Sequence, residues 1–542
     1  MKKIHEKSWI PYLVLLCLVG VVYYGIELRW LLREFISGDT IGYKIPWLEH
    51  LQQTGLQNAL ANSVTNYNPM FTYLMASFNT VLPAVDSHYL IKLITNFGDL
   101  LTTLASYHLL RSAKFSPLRA VTGAVAIFVL PTVILNSNAF TQIESLVAAP
   151  LIIGVSFLLR NRWSLAMLCI GLAFSIKLQS VFILPALVIL MVSQGQKLRS
   201  LLLVPFVYLV TILPTYFAGR DMMDLLLIYK NQMGLHGDLT RNAANVYHWL
   251  PDNYSVFMPL GILFTLGVLF LVMVNKTKYL SCSGNQLLFI TTSLVFITFF
   301  MPKMHERYAY FSDVFTVLTA FTIPQMWPAA LLMVTASFCS YLPFLYLGNK
   351  LDMFFPFLAL IAFGALFLLC QELERRQVID LGAIMTSVKK FLKAVQLLVW
   401  SDHTRFVIMF AYGVILIGFT QWNWLKLIEI YGYQYERNEV FRYIVLTPLG
   451  GFIFVYVWNI INVSLDLITP IQNYHQYWIL DLPSWMVFVV FLGGHVMLDQ
   501  PMKGGPVVLI MFASFLVVRI LGNPRYNFQI AKRLFDLSKT FV

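Results

Sequence analysis

Long apolar runs, broken only by short polar or basic turns, recur along the whole of this chain and decide its fold class. The first, Trp9 to Trp30, is too long for the apolar region of a secretory signal and lacks a small-residue cleavage site, so it reads as a retained membrane span. At 58% hydrophobic and 12% charged residues, a soluble chain would aggregate. No stretch alternates with period two as a sheet would require. The expected fold is therefore an all-α polytopic membrane protein, with about twelve spans in residues 1–370 and about four more in residues 404–542 at the usual length per crossing.

The excess of 38 Lys and Arg over 26 Asp and Glu suits either nucleic acid or the basic inner loops of a membrane protein, and its placement decides. Lys2, Lys3 and Lys7 precede the first span; Arg111, Lys114 and Arg119, then Arg160 and Arg162, then Lys197 and Arg199, then Lys276 and Lys278 fall in alternate turns. That phase predicts a multi-pass cell-membrane protein with cytoplasmic termini and no nucleic-acid partner. A charged stretch, 371–403, reads as a cytoplasmic linker between the two bundles. The five cysteines are scattered without metal or redox spacing, and no glycine-rich phosphate loop is present, so no obligatory metal or cofactor is expected.

Under this topology the long polar connections 32–85, 136–145, 219–253 and 301–310 share the outer face. The densest of them closes the apolar run Leu287 to Phe300 with Lys303, His305, Glu306 and Arg307. Charge at a membrane helix end is costly and is kept for chemistry or ion contact; an interfacial anchor needs Lys, Arg and Tyr but not His and Glu. Asp39 lies just past the first span, placed to take a proton from a hydroxyl or to cap a following helix. Gln142 and Glu144 suit sugar hydroxyls, or else cap the next helix. Lys177, the lone charge between Arg162 and Lys197, either snorkels or holds a phosphate. Asn66 to Pro69 reads as a structural turn, and the 219–253 connection, with Arg220, Lys230, His236, Arg241, Asn242, Asn245, Tyr247, His248 and Trp249, suits a sugar phosphate or an interfacial helix.

These residues resemble GT-C glycosyltransferases, and within them the bacterial group related to the second GPI mannosyltransferase. Lys303 to Tyr308 resembles that group's Met-His-Glu-Arg-Tyr signature, Ala173 to Gln179 its Lys-Pro-Gln element, Asn242 to Tyr247 its Asn-Ala-x-Asn-Leu-Trp, and Asn66 to Pro69 its Tyr-Pro-Pro turn. The likeness spans roughly residues 10–370. It departs where Glu144 replaces the Asp of a Gln-x-Asp pair, where Leu178 replaces Pro, and where Tyr247 replaces Trp. Residues 404–542 faintly resemble GtrA-like proteins; a packing or partner-binding bundle is the alternative.

The resemblance implies a hexosyltransferase, with mannose or glucose as the sugar, that uses a polyprenyl-phosphate-linked donor and inverts the anomeric carbon outside the membrane. Asp39 would be the catalytic base. Lys177, Arg307 and His305 would hold the donor phosphate, and Gln142, Glu144, Glu306, Asn242 and Asn245 would bind sugar or acceptor, a glycan, glycolipid or protein. Two rivals stand beside this: a flippase or transporter of lipid-linked sugars, marked by broken helices and mid-membrane charge, and a glycan polymerase or ligase with diphosphate-linked donors.

Overall fold

The computed structural model describes residues 10–380 except 63, 234–237, 251–252, 275–279, 281, 344 and 346–353, together with 382, 386 and 389. Expectations placed on residues 1–9, on His236, on Lys276 and Lys278, on most of the 371–403 linker and on the 404–542 bundle lie outside the described residues. The chain divides into two compact units, Met1–Ile384 and Met385–Val542.

The first unit is built almost wholly from helices. In order they are α1 (Ile10–Leu31), α2 (Ile45–Ala61), α3 (Pro69–Val81), α4 (Ser87–Ser112), α5 (Pro117–Phe128), α6 (Pro131–Ile134), α7 (Glu144–Leu158) and α8 (Trp163–Ile176). They continue as α9 (Leu184–Ser193), α10 (Leu203–Phe217), α11 (Met222–Met233), α12 (Tyr254–Val274), α13 (Ser283–Phe300), α14 (Tyr310–Thr322), α15 (Trp327–Leu342) and α16 (Phe355–Arg375). Two two-residue strands, β1 (Thr240–Arg241) and β2 (Met304–His305), pair in parallel. Among the described residues, five helices are long and apolar enough to cross a membrane, or six if the bent pair α5 and 131–139 counts as one span. Several expected spans, such as α7 and α8, are apolar but shorter, and α4 carries Lys92 and Asp99 along its length.

Local sequence sets the helix ends. Asn68 accepts from the Met70 amide and Pro69 opens α3; Asp86 accepts from the His88 amide at the start of α4. Pro131, lacking an amide proton, breaks the run begun by α5, and the two parts meet at 48°. The core is an apolar cluster running from Trp47 and Leu48 through α4, α7 and α13 to α16. Close approach of α4 and α7 depends on Gly98: a Cβ there would meet the Ser145 hydroxyl at 2.5 Å.

The first long connection, residues 32–85, folds into α2 and α3 preceded by a five-residue π-helical turn, Thr40–Lys44. A second such turn, Leu135–Ala139, ends the bent segment, and all five of its residues are buried. Single π-turns concentrate at functional sites, and these two face each other.

Candidate active site

Four separate connections meet at one end of this unit. Asp39 precedes the first π-turn but caps nothing with its side chain; its carboxylate receives the Gln142 amide at 2.9 Å instead. The other end of that amide accepts from the Tyr67 hydroxyl at 3.2 Å. Gln142 is thus oriented from both sides. Glu144, the first residue of α7, receives Lys177 Nζ at 2.5 Å, and Lys177 also lies 5.4 Å over the Tyr67 ring.

Arg307 joins these groups. Its Nη1 donates to Glu306 at 3.0 Å and lies 3.7 Å from Asp39 Oδ2, while Nε is 3.9 Å from Glu144 Oε1. Burial works against the Arg307 charge, but Glu306, Tyr308 and Glu144 outweigh it and hold the guanidinium firmly protonated. Burial raises the Glu306 carboxyl above its usual range against the pull of Arg307. The side chains of Asp39 and Arg307 remain 25% and 17% exposed, so the cluster opens to its surroundings there.

The backbone bearing Glu306 and Arg307 is braced by the 239–245 segment. Thr240 pairs with Met304 and Arg241 with His305, the Lys303 amide donates to the Leu239 carbonyl at 2.7 Å, and Asn242 bridges His305. Asn242 and Lys303 both adopt positive φ, 53° and 64°. Asn245 is buried and accepts from the Tyr247 amide, capping a short 3-10 turn, while the Tyr247 hydroxyl donates to the Phe300 carbonyl at 2.7 Å. Both asparagines thus engage backbone. His305 lies 4.0 Å from Glu306 and lines a small cavity with Tyr308, Thr298 and Ser337.

Geometry therefore gathers Asp39, Gln142, Glu144, Lys177, Glu306 and Arg307. Glu144, with no basic neighbour in sequence, sits between two cations in space. Two members escape a reading of the sequence. Tyr67 lies inside what reads as a structural turn, and Lys44 looks like any interfacial lysine; yet Lys44 is 1% exposed, donating to the Phe140 carbonyl at 3.0 Å and to Thr141 Oγ1 at 3.3 Å. Burial pushes the Lys44 ammonium down to about 7, against the attraction of Asp39. Thr141, between Phe140 and Gln142, holds φ at 52°, a conformation a β-branched residue adopts only under constraint. Such strain marks functional turns, and only the folded chain shows it.

Several membrane-length apolar helices, with a mixed cluster of acids and cations gathered at one end, mark a membrane-embedded protein with a site for polar chemistry. Residues 65–302 match the model of glycosyltransferase family 87, which indicates a membrane glycosyltransferase. No curated protein matches the chain. The matched segment includes Tyr67, Gln142, Glu144 and Lys177 but stops short of Asp39, Lys44, Glu306 and Arg307. Contact in space ties Asp39, Lys44 and Arg307 to it, and Glu306 through Arg307.

Proposed function

We propose that this protein transfers a hexose, mannose or glucose, from a polyprenyl-phosphate carrier to an acceptor hydroxyl at the extracytoplasmic face of the membrane, by a single inverting displacement. The observation that carries the reading is that the partly exposed carboxylate of Asp39 lies 3.7 Å from Arg307, and that Arg307 and Lys177 share Glu144. Asp39 accepts the proton of the attacking hydroxyl as the new glycosidic bond forms. The bond from the anomeric carbon to the phosphate oxygen breaks with its electron pair, and the phosphate leaves toward Lys177 and Arg307. Gln142, held by Tyr67, orients the Asp39 carboxylate.

Lys177 and Arg307 both lie beside Glu144, and two cations brought together in this way suit an anionic phosphate leaving group. The relation to mannosyltransferases, the topology of about twelve spans at ordinary crossing lengths, the outward site, and the separation of residues 404–542 from catalysis belong to this proposal. In the same reading His305 lies on the phosphate side, while Asn242 and Asn245 shape the sugar side through the braced 239–245 segment. The test is transfer by the purified full chain from synthetic polyprenyl-phosphate mannose and glucose to an alkyl glycoside. Transfer from one of them, lost in Asp39→Asn, is expected; activity only with a diphosphate-linked donor would replace the proposal with a polymerase or ligase.

A further inference from the structure

Lys44 is the deepest cation of the cluster, and among the described residues it pairs with no carboxylate. Its partners are the Phe140 carbonyl and the Thr141 hydroxyl, neutral oxygens on the two residues that follow the second π-turn, the latter of them strained. Around this contact the two turns are stitched together: Ser37 bonds to Thr40 at 2.9 Å and Thr40 to Thr141 at 2.7 Å. The next residue along is Gln142, whose backbone amide donates to the Asn136 carbonyl at 2.8 Å and whose side chain meets Asp39.

We infer that Lys44 is a positioning residue for Asp39: its ammonium clamps the Phe140–Thr141 backbone against the Thr40–Lys44 turn, so that the Gln142 amide reaches the Asp39 carboxylate. This rests on the reading of Asp39 as the base. Both turns carry part of the site, and neither is held by apolar packing alone, because the contact between them includes polar atoms of Ser37, Thr40, Lys44 and Thr141. An ammonium serves here because it has three donors, and a charged donor makes a stronger bond to carbonyl or hydroxyl than a neutral one. The position is costly for a cation. Burial lowers the Lys44 ammonium to about 7, Asp39 and Glu144 pull it back up, and Lys177 and Arg307 push it further down. A neutral Lys44 still fits the space but holds the turn less firmly, so the clamp loosens as pH rises through neutrality.

The experiment uses the full chain purified in detergent, farnesyl-phosphate-linked mannose and glucose as donor probes, and the variants Lys44→Met, Lys44→Arg and Asp39→Asn. Lys44→Met is expected to lower kcat by about 10²-fold, the scale of an ångström-level misplacement of a catalytic group, with KM for donor nearly unchanged. The wild-type kcat falls on an alkaline limb centred near 7, following the Lys44 ammonium. Lys44→Arg, which keeps its charge, retains activity and shifts that limb upward, whereas a merely structural loss would scale kcat equally at every pH. Hydrogen exchange gives a readout independent of turnover: amides of residues 138–143 exchange faster in Lys44→Met than in wild type. A Lys44→Met enzyme with wild-type kcat and pH profile beside an inactive Asp39→Asn overturns the positioning role alone. Unchanged exchange over 138–143 overturns the clamp whatever the activity. Full turnover by Asp39→Asn overturns both the base and the residue said to aim it.

Discussion

Arg29 and Arg307 both form ion pairs inside the same helical unit, and their surroundings differ in kind. Arg29 pairs with Asp99 at 2.7 Å, donates also to Asn96 and to the Gly25 and Phe128 carbonyls, and lies 4.0 Å over the Phe128 ring. Asp99 in turn receives Ser137, and Asn96 and Asn138 exchange hydrogen bonds at 3.0 Å. These partners are fixed by α1, α4, α5 or the second π-turn, and the Asp99 side chain is fully buried. Arg307 instead spreads over three carboxylates, two of them at 3.7 and 3.9 Å, and stays partly open. The first arrangement spends its charge on holding helices together. The second keeps charge available at close range, as the proposed receipt of a phosphate and movement of a proton would require.

That contrast is sharpest in what each removal should break. Asp39→Asn should lower transfer by about 10²–10⁴-fold, the usual worth of a positioned general base, while donor binding and thermal stability stay near wild type. An equal loss of donor binding would put Asp39 among the ligands. Arg29→Ala should act on the fold: about 3–5 kcal/mol of stability lost by leaving Asp99 unpaired in the interior, read as a lowered melting temperature, with unchanged donor KM in whatever remains folded. A change in donor KM without loss of stability would erase the distinction between the two arginines.

The amino-acid sequence carries much of this distinction and misses the rest for physical reasons. Rare charges at the ends of apolar runs point to Asp39, Glu144, Lys177, Glu306 and Arg307, because charge there is costly and stands out. Lys44 and Tyr67 do not stand out: each lies in a polar connection where such residues are common, and only the tertiary contact with Phe140, Thr141 and Gln142 gives them a part. Asn242 and Asn245 stand out as a motif, but in the fold they serve a backbone bridge and a turn cap. Helices are legible from apolar runs, yet crossings are not countable, since α7 and α8 are short and the 131–139 segment bends away from α5.

Smaller effects refine the comparison. Lys177→Ala and Arg307→Ala should each weaken binding of a polyprenyl-phosphate donor by about 1.5–3 kcal/mol, the range for a charged hydrogen bond, measured by titration with the lipid. Unchanged affinity in both would place the phosphate elsewhere. Lys44 should show opposite trends in stability and activity. Its folded ammonium titrates at about 7, while an unfolded lysine holds its proton to about 10.4, so between these values the unfolded chain binds more protons and stability rises with pH. Wild type should therefore gain melting temperature over Lys44→Met from about pH 7 to about pH 10 while its turnover falls; a parallel fall in both would mean the ammonium is not the titrating group.

A cryo-EM map of the protein with a bound polyprenyl phosphate tests the site most directly. The phosphate should lie within hydrogen-bond reach of Lys177 Nζ and the Arg307 guanidinium, drawn between the carboxylates they now face, with Asp39 beside the position of the transferred sugar. A lipid phosphate held away from both cations, with Lys177 still on Glu144 and Arg307 still on Glu306, would contradict that assignment.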